Sequence, residues 1–147
     1  MYFEDYVPGR TEALGSVTLT EREIIDFARE HDPQPFHTDP DSAAAHRLGG
    51  VIASGLHTMV LAMRPYVKGY LCPETNFPGP GIDELRWHAP VRPGDRLTVR
   101  ATVLDARPSG SKPDRGVVRT RLEVLGADDA VVLSMVVINI IRRRDAP

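Results

Sequence analysis

From Leu56 through Met59, Val60, Met63, Tyr66, Val67 and Tyr70 the apolar residues recur at i, i+3, i+4 and i+7, and past residue 81 the period of the chain drops to two. That change leaves few ways to bury the apolar surface. The helical stretch predicts one long helix with a wide apolar stripe, interrupted at Pro65, which removes the bond to the Leu61 carbonyl and predicts a kink or break. Four β-rich runs follow, 82–91 (IDELRWHAPV), 96–107 (RLTVRATVLDAR), 117–125 (VVRTRLEVL) and 131–141 (VVLSMVVINII), separated by PGD, PSGSKP and GADD. Short turns between them predict an antiparallel meander. Leu97, Val99, Ala101 and Val103 alternate as in a sheet with one wet face, whereas the last run is apolar on both faces and is expected at the sheet centre or beneath a partner. A one-sided sheet and a striped helix bury each other if the sheet wraps the helix. The expected class is α+β, a single domain over residues 1–147 with a curved antiparallel sheet around a central helix.

The first half is helical and more heavily punctuated. Thr20 and Glu23 have the spacing of a capping box, and Ile24, Phe27, Ala28 and His31 follow at helical spacing, which predicts a helix over 20–30. The chain then enters DPQPFHTD at residues 32–39, where Pro33 and Pro35 lack amide hydrogens and push Asp32 and Gln34 toward extended backbone. A second, short helix is expected within DPDSAAAHR, residues 39–47, closed by Leu48, Gly49 and Gly50.

Charge excludes some partners. Eighteen basic against twenty acidic side chains give a net charge of −2, so no global field draws the chain to nucleic acid or to anionic lipid. The start, MYFEDYVPGR, lacks the basic and apolar segments of a signal peptide, and no apolar run reaches membrane-spanning length, which makes a cytoplasmic protein the expectation. The single cysteine, Cys72, permits no intrachain disulfide and no thiol cluster. His37 and Asp39 have no further His or Cys at ligand spacing, so no metal site is expected.

Within DPQPFHTD, the two prolines restrict the freedom that must be frozen to hold Asp32 and His37 together. A carboxylate and an imidazole so held can orient one water and exchange a proton with it; the alternative is that Asp32 caps the helix exit and His37 packs beside Phe36. A second feature is ASGLH, residues 53–57, where Ser54 is a good N-cap and Gly55 the first residue of the long helix. The Gly55 N–H at the positive end of the helix could donate to a carbonyl oxygen that gains charge during reaction, or the glycine could serve close packing.

Together, DPQPFHTDPDSAA, IASGLHTM and LRWHAPVRPGDRL resemble the MaoC-like dehydratases, relatives of the (R)-specific enoyl-CoA hydratases. The resemblance implies the hot-dog fold, a homodimer or larger homo-oligomer, and reversible hydration of a trans-2-enoyl-CoA in fatty acid metabolism, with no metal or redox cofactor. It implies that Asp32 and His37 hold the catalytic water and that Gly55 donates to the thioester oxygen; Ser54, Gln34, Phe36 and His57 are the further substrate-site candidates, with Phe36 expected in the core or a pocket wall and His57 expected to pack or shape the pocket rather than transfer a proton. Two positions depart from the family pattern: Gln34 stands where asparagine is common, and Met63 where the best-known hydratases carry serine. The competing functions are a thioesterase on the same fold, which leaves His37 without a task, and a non-catalytic acyl-CoA-binding protein. Trp87 is expected in the core or a pocket wall, His88 on a strand face, Asn139 in a buried hydrogen bond, and Arg142, Arg143 and Arg144 in a solvated tail.

Overall fold

The computed structural model describes residues 1–145. Its elements run β1 (Thr11–Thr18), α1 (Glu21–His31), α2 (Pro35–Thr38), α3 (Ala43–Arg47), α4 (Gly55–Pro65) with a π-helical turn over Tyr66–Tyr70, then β2 (Asn76–Trp87), β3 (Arg96–Pro108), β4 (Arg115–Leu125) and β5 (Val131–Arg142). The five strands form one antiparallel sheet in the order β1-β3-β4-β5-β2.

Local chemistry sets the helix ends. Thr20 Oγ1 accepts from the Glu23 N–H at 3.2 Å and Glu23 Oε2 accepts from the Thr20 N–H at 2.8 Å, a complete capping box that starts α1. Ile24 and Ala28 carry the buried face of α1. Before Pro33 the chain leaves helical geometry, with Asp32 at φ −155° and ψ 69°; Gln34 is extended, and Pro35 opens the one-turn α2 as its first residue. Pro35 therefore starts a new turn as well as ending the old geometry. The helix expected within 39–47 begins later, at Ala43, because Ser42 Oγ takes the Ala45 N–H at 3.0 Å and fixes the cap there.

The central helix is rotated from the expected stripe. Thr58, Ala62, Tyr66 and Tyr70 are buried, while Leu56, Val60 and Val67 are 42%, 48% and 50% exposed. The line of small and aromatic residues lets the sheet approach closely at Ala62 and gives Tyr66 a partner, its hydroxyl donating to Asn139 Oδ1 at 2.5 Å. Asn139 is thus a structural tie. At Pro65 the missing amide is absorbed by the π-helical turn, the expected break.

The sheet corrects the meander. Strands β3, β4 and β5 follow one another in space, but β2 pairs with β5 at the far end, Trp87 opposite Leu133, and β1 takes the place beside β3. The segment after Trp87 is a crossover, not a hairpin: Pro90 and Pro93 cannot donate to a ladder, the Val91 carbonyl accepts from Ala53 N–H at 2.8 Å, and Gly94 turns at φ +85° with its N–H on the Leu19 carbonyl. As expected, β5 is interior, and Leu97, Val99, Ala101 and Val103 face the core. Among the described residues no helix is long and apolar enough to cross a membrane.

Candidate active site

The end of α1, the turn α2 and the start of α4 meet beside β2 and the crossover. Asp32 leaves α1, and five residues on His37 returns from α2, placing His37 Nε2 3.4 Å from Asp32 Oδ2. His37 is buried and Asp32 is partly exposed. Each is oriented by a second set of groups. The Ser54 hydroxyl donates to Asp32 Oδ2 at 2.6 Å, and the Gln34 amide donates to Oδ1 at 2.8 Å. These two bonds, Ser54's the stronger influence, hold the Asp32 carboxyl below the usual carboxylate range. On the other side, His37 Nδ1 lies 2.7 Å from the Ile52 carbonyl oxygen. A carbonyl can only accept, so Nδ1 carries the hydrogen; the protonated form of the ring donates from Nε2 to Asp32, and the neutral form turns the lone pair of Nε2 toward it. Two acceptors then face the same space, which suits a donor such as water.

A cleft of about 470 Å³ opens there, walled by Asp32, Gln34, His37, Gly55, Leu56 and Trp87. Gly55 contributes its backbone. Its N–H is the first of α4, and among the described residues no acceptor meets it. A Cβ at this position would collide with Trp87 Nε1, so the indole seats directly on the glycine. Close packing and an open amide, the two alternatives left by the sequence, coexist at Gly55.

The remaining candidates divide. Gln34 lines the cleft and fixes Asp32. Ser54 is wholly buried and away from the cleft wall; it caps α4 by accepting from Leu56 N–H at 3.2 Å while donating to Asp32. Phe36 packs edge-on against the His37 ring, centroids 4.4 Å apart, and is not part of the wall. His57 is also removed from it: its ring stacks on Phe27 at 4.2 Å, and burial lowers its pKa against a small opposing pull from Glu23. Residues i and i+2 of a helix point apart, so Gly55 and His57 cannot share one face.

Sequence reasoning missed the anchoring role of the Ile52 carbonyl, for which side-chain patterns give no signal. It also left Trp87 between core and wall; Trp87 is half exposed and forms the wall. His88, expected on a strand face, lies one residue beyond the end of β2, its Nε2 2.8 Å from Ser134 Oγ. Arg143 and Arg144 pair with Glu4 and Asp5, which ties the basic run to the N-terminal turn instead of leaving it free in solvent.

Residues 6–125 match the family model of the MaoC like domain. The chain is 32% identical over 113 residues to 3-hydroxyacyl-thioester dehydratase Z of Mycobacterium tuberculosis, covering 76% of this chain and 75% of that one. It is 30% identical over 144 residues to the (R)-specific enoyl-CoA hydratase of Rhodospirillum rubrum, covering 89% and 85%. The crystal structure of the MaoC-like dehydratase from Rhodospirillum rubrum superposes with a TM-score of 0.88 at 36% identity, covering 98% of both chains. The architecture is accordingly the hot-dog fold.

Proposed function

The chain belongs to the MaoC-like dehydratase family, and from that premise we propose that it adds water reversibly across the trans-2 double bond of an enoyl-CoA, with Asp32 and His37 as the water-activating pair. The enzyme class is a hydro-lyase. The observation that carries the residue assignment is the 3.4 Å approach of His37 Nε2 to Asp32 Oδ2 at the wall of a cleft that also holds the Gly55 amide.

The thioester carbonyl accepts from the Gly55 N–H, which draws charge onto oxygen and leaves the β-carbon electrophilic. A water in front of the dyad donates one hydrogen to Asp32 and one to His37 Nε2. Asp32, held ionised by Ser54 and Gln34, is a weak base and serves as the orienting acceptor. His37 Nε2 takes the proton as the water oxygen bonds to the β-carbon. The imidazolium formed is stabilised by the adjacent carboxylate, and its proton passes to the α-carbon on the same face, closing the balance. Dehydration runs the same steps backward.

A second copy of the chain completes the reading. β2 ends the sheet with its outer edge unpaired, and apolar surface is exposed by Leu56 and Trp87 at the cleft and by Val60 on α4 and Ile82 on β2. A homodimer covers that surface and encloses the substrate, a cytoplasmic acyl-CoA. Sedimentation reporting a monomer at micromolar concentration would count against this part.

Loss of the conjugated thioester absorbance of crotonyl-CoA and longer enoyl-CoAs tests the reaction. No turnover across the panel would overturn it. Release of free thiol without hydration would select the thioesterase reading, in which His37 has no task.

A further inference from the structure

We propose that Arg86 and Arg121, on the outer face of the sheet, bind phosphate groups of the carrier to which the acyl thioester is attached, an assignment that rests on the hydration reading above. The outer face carries a cavity of about 420 Å³ lined by Arg86, Arg121, His88 and Ser134 together with two carboxylates, Glu84 and Glu123.

The charge pattern on this face singles out the pair. The cross-strand register sets Arg100, Glu123, Ser134 and Arg86 in one row over β3, β4, β5 and β2. Arg100 is taken by Glu123 through two bonds of 3.0 and 2.9 Å, and Arg119 by Glu84 at 3.4 Å and Asp83 at 3.8 Å. Both carboxylates that line the cavity, Glu84 and Glu123, are therefore engaged by other arginines. Among the described residues Arg86 and Arg121 form no ion pair; the only bond to Arg86 is from its Nη1 to the Leu85 carbonyl. Two uncommitted guanidinium groups lining one cavity supply the forked N–H donors that a phosphate accepts.

The backbone is built to present them. Pairing of β2 with β5 breaks between Asp83 and Arg86, where Glu84 has φ +53°, a left-handed conformation that costs a side-chain-bearing residue free energy. The bulge re-aims β2 immediately before Arg86.

The cavity also adjoins the dyad cleft, since His88 lines both. Trp87 and His88 lie at the end of β2, which is the last strand of the sheet. A thioester seated at Gly55 can therefore send its flexible, uncharged linker past the end of β2 at His88, leaving the strand's outer edge to the second copy, and deliver its phosphates to the outer face. With a net charge of −2 the chain has no global field to hold them, so local cations must.

Coenzyme A and the phosphopantetheine of a carrier protein share this chemistry. Hydration is measured with crotonyl-CoA, crotonyl-4′-phosphopantetheine and crotonyl-N-acetylcysteamine, which lacks phosphate, in Arg86→Ala, Arg121→Ala and Arg121→Lys, with Arg22→Ala on α1 as the control for net charge. The alanine variants are expected to raise KM for crotonyl-CoA at least about tenfold at constant kcat, to leave the N-acetylcysteamine thioester unaffected, and to be partly rescued by lysine. An equal penalty on the phosphopantetheine thioester supports the proximal phosphate shared by both carriers; a penalty confined to crotonyl-CoA supports the nucleotide phosphates. Equal loss on all three substrates, or no loss on either phosphate-bearing one, overturns the proposal. Calorimetric titration with unreactive butyryl-CoA separates it from the hydration reading. Weaker binding in the alanine variants supports the arginine site even if nothing is hydrated, and unchanged binding with hydration intact overturns the site alone.

Discussion

Ser54 and Asp32, twenty-two positions apart, are joined by a 2.6 Å hydrogen bond that makes one hydroxyl both the cap of the central helix and the support of the cleft carboxylate. Fold and candidate chemistry share this atom. Replacing Ser54 by alanine removes the cap, a loss of about 1 kcal/mol, and also the main influence depressing the Asp32 pKa. A carboxylate with a depressed folded-state pKa contributes stability above its unfolded value, and that part fades as pH falls through the folded value. The Ser54→Ala penalty, read from urea unfolding, is therefore expected to be larger at pH 7 than at pH 3. An equal penalty at both would reduce Ser54 to a helix cap.

Asp32→Asn replaces the charged carboxylate that faces the water with a neutral amide, and His37→Ala removes the accepting ring nitrogen. Either is expected to lower kcat for enoyl-CoA hydration by about 10²–10⁴-fold, with melting temperatures close to wild type for Asp32→Asn. Because both groups act on one water, the double variant is expected to be little worse than the poorer single one. Multiplying losses would mean that the two residues act in separate steps.

What the sequence made legible follows the range of the interactions. The capping box of α1, the geometry around Pro33 and Pro35 and the break at Pro65 are set within a few residues, and each stands where local chemistry puts it. The resemblance brought Asp32, His37 and Gly55 together, and the fold sets all three at one cleft. The place of β2 was not legible, because the crossover after Trp87 uses the Val91 carbonyl on a loop far away in sequence. Nor was β1, half polar and bent at Gly15, where pairing with β3 shifts. The exposed side of α4 was misread because apolar spacing marks what avoids water and not which neighbour covers it. Leu56 and Val60 face outward for that reason.

Gly55→Ala tests the two tasks of that residue separately. The added Cβ collides with the Trp87 indole, so the single substitution is expected to displace the ring, shift the emission of the chain's only tryptophan and lower kcat more than about tenfold. Alanine keeps its N–H. Adding Trp87→Ala opens the space, and the double variant is expected to recover part of kcat although two wall residues have changed. Failure to recover, with the fold intact by circular dichroism, would argue that the glycine is needed for substrate clearance and not only for the indole.

His57 gives a pH signature independent of turnover. Buried against Phe27 with no hydrogen-bond partner for Nδ1 among the described residues, it resists protonation, and its pKa lies below 6.5. The unfolded chain takes up that proton near 6.5 and the folded chain only at lower pH, so as pH falls below 6.5 the unfolded state is favoured, until the lowered folded value is reached. Above 6.5 both states are neutral and the contribution vanishes. His57→Phe preserves a ring against Phe27 and removes the titration. Its stability is expected to decline less than wild type between pH 6.5 and 5 in urea unfolding, while kcat/KM for enoyl-CoA stays within about twofold because the side chain lies off the cleft. Parallel pH profiles for the two proteins would place the acid sensitivity elsewhere, and a large loss of kcat/KM would return His57 to the substrate site.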